Sequence, residues 1–274
     1  MKNRIAVATD FSQNSLIAIS KALYLAKKSK STLDVVHIVE HSIFHDPKQS
    51  KRTGKEALAK FILEHFPNPE VVIQEFCYVG SIVKGICKHI KERECKLLCV
   101  GSAGENHHLT EILLGSTAKQ IVKKSQIPVL VTKNESLPDY INAFSPTDFS
   151  NNSLKLAKVT KKLFDNIKIT FYHMINRPFE IRLGHYGADD EQISKYNKSA
   201  EEKAKEQSKK FLKELDKNNV NMVLDSGILT YTRLLSVAES KNSSLVVLPT
   251  SGKVSFFALD VLEHSNLDVL ICKF

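Results

Sequence analysis

Short apolar runs alternate along this chain with stretches whose apolar residues recur every three or four positions, a pattern of strands followed by amphipathic helices. The run over 4–9 comes first and ends at Asp10, Phe11 and Ser12. Leu16, Ile19, Leu23 and Ala26 then mark one face of a helix, with Ser12 placed as its N-cap. Runs over 33–39, 71–77, 97–100 and 127–132 predict four more strands. Between them lie three helical stripes: Ala57, Leu58, Phe61 and Ile62, stopped by Pro67; Ile82, Val83, Ile86, Cys87 and Ile90; and Ala118, Ile121 and Val122. Strands apolar on both faces, each followed by a helix, predict a parallel sheet covered on both sides. Right-handed crossovers make such a sheet doubly wound and place ligands beyond the carboxyl ends of its strands. Asp10 and Gly101 both fall at such ends.

The pattern then repeats. The segment 9–16, Thr-Asp-Phe-Ser-Gln-Asn-Ser-Leu, returns at 147–154 with one change, Gln13 to Asn151. Val36-His37-Ile38-Val39 is echoed by Tyr172-His173-Met174-Ile175, and 118–131 by 258–271. A polar segment over 133–138 reads as the linker. Two homologous α/β domains follow, 1–134 and 139–274. A long helix over 189–217, with Ile193, Tyr196, Ala200, Ala204, Phe211 and Leu215 on one face, is expected to pack on the second sheet.

Composition narrows the class without changing the fold. The 274 residues are 42% hydrophobic and 25% charged, an ordinary globular balance. No apolar run approaches the roughly 20 residues that span a bilayer, and the N-terminus lacks a secretory pattern, so a cytoplasmic location with no membrane partner is expected. The net charge of +9 comes from lysines interleaved with acids, which predicts a solvated surface and no nucleic-acid partner. Five cysteines without a Cys-x-x-Cys pair predict buried thiols. His37, His41 and His45 leave a strand and enter a loop, and no metal site is expected there.

The stretch with most chemistry runs from 97 to 117. An apolar strand breaks at Gly101 and Gly104, passes through a polar loop with His107 and His108, and closes on Gly115, Ser116 and Thr117, which open a helix. Glycines admit close approach of a ligand, and free N–H groups at a helix start attract anions. It is not a P-loop, because Gly-x-x-x-x-Gly-Lys-Ser/Thr is absent. Ser116 has no recognisable base beside it, so no catalytic residue is assigned.

With its strand-one Asp-Phe-Ser, its repeated βα order and its Gly-x-x-Gly…Gly-Ser loop, the whole chain resembles a tandem universal stress protein, two UspA-type domains in one chain. The resemblance implies two five-stranded parallel sheets with helices on both faces, a Rossmann-like fold of the adenine nucleotide α-hydrolase type. It implies ATP or another adenine nucleotide, ADP or AMP, as ligand, with Mg²⁺ as its companion. Asp10 would accept hydrogen bonds from the ribose, and Ile38 would meet adenine through its backbone. Gly101 and Gly104 would admit ribose and phosphates, and Gly115, Ser116 and Thr117 would supply N–H groups and hydroxyls. One departure lies in the loop, where ten residues separate Gly104 from Gly115, one more than in the family's ATP-binding pattern.

The second domain departs further. Pro249 stands where Gly101 stands in the first, and the interval to the next helix is shorter: 17 positions from Gly101 to Ala118, 9 from Pro249 to Ala258. Asp148, Met174 and Gly252 are left as a vestigial second site. The expectation is therefore one nucleotide site per chain, with the second domain as an intramolecular dimer partner and a homodimer of chains as a further level. No enzymatic activity beyond a weak ATPase is expected. A nucleotide-free protein-interaction module is the alternative.

Overall fold

Residues 4–9 extend because five of the six are apolar or β-branched and pack between two neighbours. In the computed structural model, which describes residues 3–40, 46–102, 114–136, 139–175, 189–215, 219–250 and 254–274, they form β1 (Arg4–Thr9). Gly104 and Gly252, with His41, His45, His107 and His108, lie outside the described residues. The chain divides into two compact units, Met1–Asp139 with Leu248–Phe274, and Tyr140–Val247.

The first unit alternates β1, α1 (Gln13–Lys28), β2 (Thr32–Val39), α2 (Pro47–His65), β3 (Ile73–Val79), α3 (Ile82–Glu92), β4 (Leu97–Gly101), α4 (Ser116–Lys124) and β5 (Val129–Thr132). Its parallel strands run in the order β3-β2-β1-β4-β5. The strand order reverses between β1 and β4, and such a switch point opens a crevice at the carboxyl ends. Ala6, Val7, Leu33, Val35, Leu98, Cys99 and Leu130 are buried, as expected of a sheet covered on both faces.

On α1 the buried face differs from the predicted stripe. Ser15, Ala18, Ile19, Lys21, Ala22, Leu25 and Ala26 are buried, whereas Leu16 and Leu23 are only half-buried. Small side chains let the helix sit close to the sheet, and a reading weighted by large apolar residues turns that face by part of a turn. Lys21 is 1% exposed and pairs with Asp268 at 2.6 Å. Asp268 opens the last strand of the chain, β10 (Asp268–Lys273), which pairs antiparallel with β5, Leu130 against Leu270. Asp268 also accepts the Lys133 backbone N–H at 2.7 Å, so the predicted linker begins as a pinned segment.

The second unit holds β6 (Asn142–Pro146), α5 (Asn151–Leu163), β7 (Lys168–Ile175), α6 (Asp190–Glu214), β8 (Val220–Ser226), α7 (Tyr231–Ser240) and the start of β9 (Leu245–Thr250). Its parallel order is β9-β6-β7-β8. The long helix α6 starts at a capping box between Asp189 and Gln192. It docks through its C-terminal half, where Phe211 meets the rings of Phe149 and Phe171, while Ile193, Tyr196 and Ala200 stay half-exposed. The last helix, α8 (Phe256–His264), precedes β10.

Candidate functional site

The crevice begins with a turn that β1 makes into α1. Phe11 takes a left-handed backbone, φ 67°, and its N–H donates to Thr9 Oγ1 at 3.1 Å. Asp10 Oδ1 accepts from the N–H and hydroxyl of Ser12, at 3.1 and 2.6 Å, and Ser12 Oγ accepts from the Ser15 N–H as the helix cap. The turn therefore occupies one oxygen of Asp10. The residue is exposed, and Oδ2 has no hydrogen-bond partner among the described residues. His37 braces the turn from β2, with Nδ1 2.9 Å from the Thr9 carbonyl oxygen and its ring against Phe11.

The same turn is built again in the second unit. Phe149 has φ 63°, its N–H donates to Thr147 Oγ1 at 3.0 Å, and the Ser150 N–H donates to Asp148 Oδ1 at 3.0 Å. His173 Nδ1 stands 2.8 Å from the Thr147 carbonyl. Burial alone would raise the Asp148 pKa, but donation from Ser150 and Ser153 outweighs it and holds the carboxyl below its ordinary value. Both aspartates thus organise a strand-to-helix turn, whatever else Asp10 does.

In the first unit the turn forms one wall of a cleft of about 300 Å³. Asp10, Ile38, Gly101, Gly115, Ser116 and Thr117 all line it, brought together from the ends of β1, β2 and β4 and the start of α4. Its lining is part apolar, from Val36, Ile38, Ile82, Ile86 and Ile121, and part polar, from Asp10, Ser102, Ser116 and Thr117. No lysine or arginine is among its described lining residues. Ile82, Ile86 and Ser102 were not assigned to the site from sequence, because helix stripes and strand-end serines read as packing.

Two glycines have different reasons for being there. A Cβ on Gly101 would lie 2.8 Å from the Asn14 carbonyl oxygen, so the first turn of α1 excludes any side chain. Gly115 is the N-cap of α4, φ −59°, and supplies no side-chain cap. Its own N–H donates to the Ser102 carbonyl at 2.7 Å and is not available to a ligand. The N–H groups of Ser116, Thr117 and Ala118 follow, and a helix offers its first residues no internal acceptor. On α8, which occupies the matching place after the second repeat, Ser255 accepts from the Ala258 N–H at 3.2 Å and closes the helix end. Among the described residues, the start of α4 carries no side-chain cap, and in this the first repeat differs from the second.

Of the second set, Asp148 and Met174 lie in the second unit, at the start of α5 and near the end of β7. No helix among the described residues is long and apolar enough to cross a membrane.

Comparison with known proteins places this architecture. Residues 1–133 match the model of the universal stress protein family. Universal stress protein YxiE of Bacillus subtilis is 27% identical over 150 residues, which span 48% of this chain and 100% of that protein. Universal stress protein MJ0531 of Methanocaldococcus jannaschii is 29% identical over 140 residues, 47% of this chain and 81% of that one. Among solved structures, a universal stress protein from Archaeoglobus fulgidus superposes with a TM-score of 0.68 at 18% identity, covering 100% of this chain and 99% of its own. At that identity the likeness establishes the fold alone.

Proposed function

The first 133 residues of this chain belong to the universal stress protein family, and on that footing we propose that the protein binds an adenine nucleotide in the cleft of its first half. The observation that carries the reading is the convergence of Asp10, Ile38, Gly101, Ser116 and Thr117, from four separate segments, on one cleft whose lining is both apolar and polar. The isoleucines suit a flat base. The free oxygen of Asp10 suits a ribose hydroxyl, and the open start of α4 suits phosphate oxygens, which the helix dipole and bare N–H groups favour. The antiparallel pairing of β10 with β5 supports the second repeat as a built-in partner.

A phosphate chain here meets hydroxyls and N–H groups and, among the described lining residues, no lysine or arginine. A triphosphate therefore needs Mg²⁺ to offset its charge, whereas AMP does not. Isothermal titration checks both statements. AMP is expected to bind with or without Mg²⁺, and ATP to bind at least ~10-fold more weakly in chelator than in Mg²⁺, a difference of about 1.4 kcal/mol. The double variant Gly115→Val/Ser116→Ala should bind neither. No heat and no thermal shift with any of these nucleotides at millimolar concentration would return the protein to the class of nucleotide-free interaction modules.

A further inference from the structure

On the far end of α3 from the cleft, β2, β3 and the start of β4 enclose a second group of polar side chains. Asp34, in the middle of β2, has no exposed surface. Its Oδ2 accepts from Arg93 Nε at 3.1 Å and lies 3.1 Å from His89 Nε2. Its Oδ1 is buried and has no hydrogen-bond partner among the described residues. His89 is 1% exposed, and its other ring nitrogen lies 3.0 Å from the Tyr78 hydroxyl. Cys95, 2% exposed, follows α3 directly, held there as its N–H donates to the Ile90 carbonyl. The ligand atoms of Asp34, His89 and Cys95 all lie within 4.8 Å of one another.

A buried carboxylate oxygen without a partner is uncommon and destabilising. Hydrogen bonds from His89 and Arg93 account for one oxygen of Asp34 and leave the other without a partner among the described residues. An oxygen, nitrogen and sulfur donor set within 4.8 Å can close by small side-chain shifts to the ~3.3–3.8 Å donor spacing of a tetrahedral ion, supplying three of its four positions and leaving the fourth to a water. From this geometry we propose that Asp34, His89 and Cys95 bind a Zn²⁺ ion, with Tyr78 and Arg93 fixing the ligands from behind. The borderline-soft set selects zinc over the oxygen-preferring Mg²⁺ and Ca²⁺.

Binding is balanced in charge and protons. The Cys95 thiol gives up its proton to solvent and binds as thiolate, so one proton leaves per ion. His89 binds through Nε2, with its ring proton on Nδ1 donated to Tyr78 Oη. Asp34 turns its bare Oδ1 to the metal and keeps Arg93 on Oδ2. Thiolate and carboxylate together neutralise the dication. Arg93, at the outer side of the group, is 31% exposed and marks the way in.

The test uses the full chain, purified in chelator, desalted and loaded with Co²⁺ as a spectroscopic stand-in for zinc. The expected result is about one ion retained per chain with a near-ultraviolet thiolate-to-cobalt band. Cys95→Ser should lose that band, and Tyr78→Phe should keep it with affinity ~10- to 100-fold weaker. The proposal is overturned if the wild type retains no more cobalt than Cys95→Ser, or if the band survives that substitution. Should Cys95→Ser not fold, Asp34→Asn and His89→Gln take its place, each expected to weaken cobalt at least ~10-fold, and unchanged affinity in a folded variant counts equally against the site. Nucleotide is absent throughout, so the outcome is independent of the cleft.

Discussion

Lys133 shows how one residue can work against the fold that surrounds it. Its side chain is 7% exposed, and its ammonium finds no hydrogen-bond partner among the described residues. Burial lowers its pKa to about 8, against the smaller raising effects of Glu263 and Asp268. Between about pH 8 and the free-lysine value near 10.4, the unfolded chain holds a proton that the folded chain has released. Stability therefore rises with pH through that window, by about 3 kcal/mol in total, and the full burden of the buried charge is felt below it. Lys133→Met should raise stability at pH 7 by about 1–3 kcal/mol and flatten this rise, as read from urea midpoints in both proteins at pH 7 and 10.

Such residues are also where sequence reading stopped. Lys133 reads as the first residue of a polar linker, and nothing in the sequence pattern set Lys21 or Asp34 apart from their neighbours. Lys21 and Asp34 are buried with partners distant in the chain: Lys21 and Asp268 are 247 positions apart, Asp34 and His89 are 55. Periodicity carries no information about such pairs. That Asp10, Gly101, Ser116 and Thr117 come together at one cleft was legible because their signal is local, a strand end, a glycine, a helix start, whereas Ile38 entered only with the family resemblance.

Among the elements, α4 and α8 make the sharpest contrast. Their positions in the two repeats match, their lengths are both nine residues, and each ends at a serine whose hydroxyl accepts an N–H two residues on, Ser125 from Ile127 and Ser265 from Leu267. They differ at the first residue. Ser255→Ala should remove about 1 kcal/mol from the second cap, read as a lower urea midpoint. Gly115→Ser should change stability by a few tenths of a kcal/mol and weaken nucleotide in titration, because a serine cap would compete for the N–H groups on which the ligand depends. The bounds of α4 were read correctly from Gly115 onward, whereas the buried face of α1 was not, since alanines and serines make its contact.

For the molecule as a whole, the pair Lys21–Asp268 ties the first helix to the last strand within the first unit. Its counterparts under the repeat are Val159 and Pro128, so the duplication does not reproduce it. Burial lowers the Lys21 pKa more than Asp268 raises it, which marks the pair as a specifying contact more than a stabilising one. Lys21→Met alone should destabilise by about 3–5 kcal/mol, by stranding Asp268. The double variant Lys21→Met/Asp268→Leu should recover most of that loss, and a full double-mutant cycle in urea measures the coupling. The alternation of strands and helices, and the repeat itself, foretold the layered architecture; this single charged tie depends on contact geometry that neither contains.

The open start of α4 has a mechanical side. Four residues after α4 ends, β5 begins, and the two-way bonding of Ser125 with Ile127 leaves little slack between them. β5 in turn grips β10. An occupant that binds the first N–H groups of α4 is therefore expected to tighten the hold on the last strand, without breaking or making a covalent bond. Amide exchange over 268–273 should slow when nucleotide is added and stay unchanged in Gly115→Val/Ser116→Ala, which would make the chain's own C-terminus the gauge of what its first cleft contains.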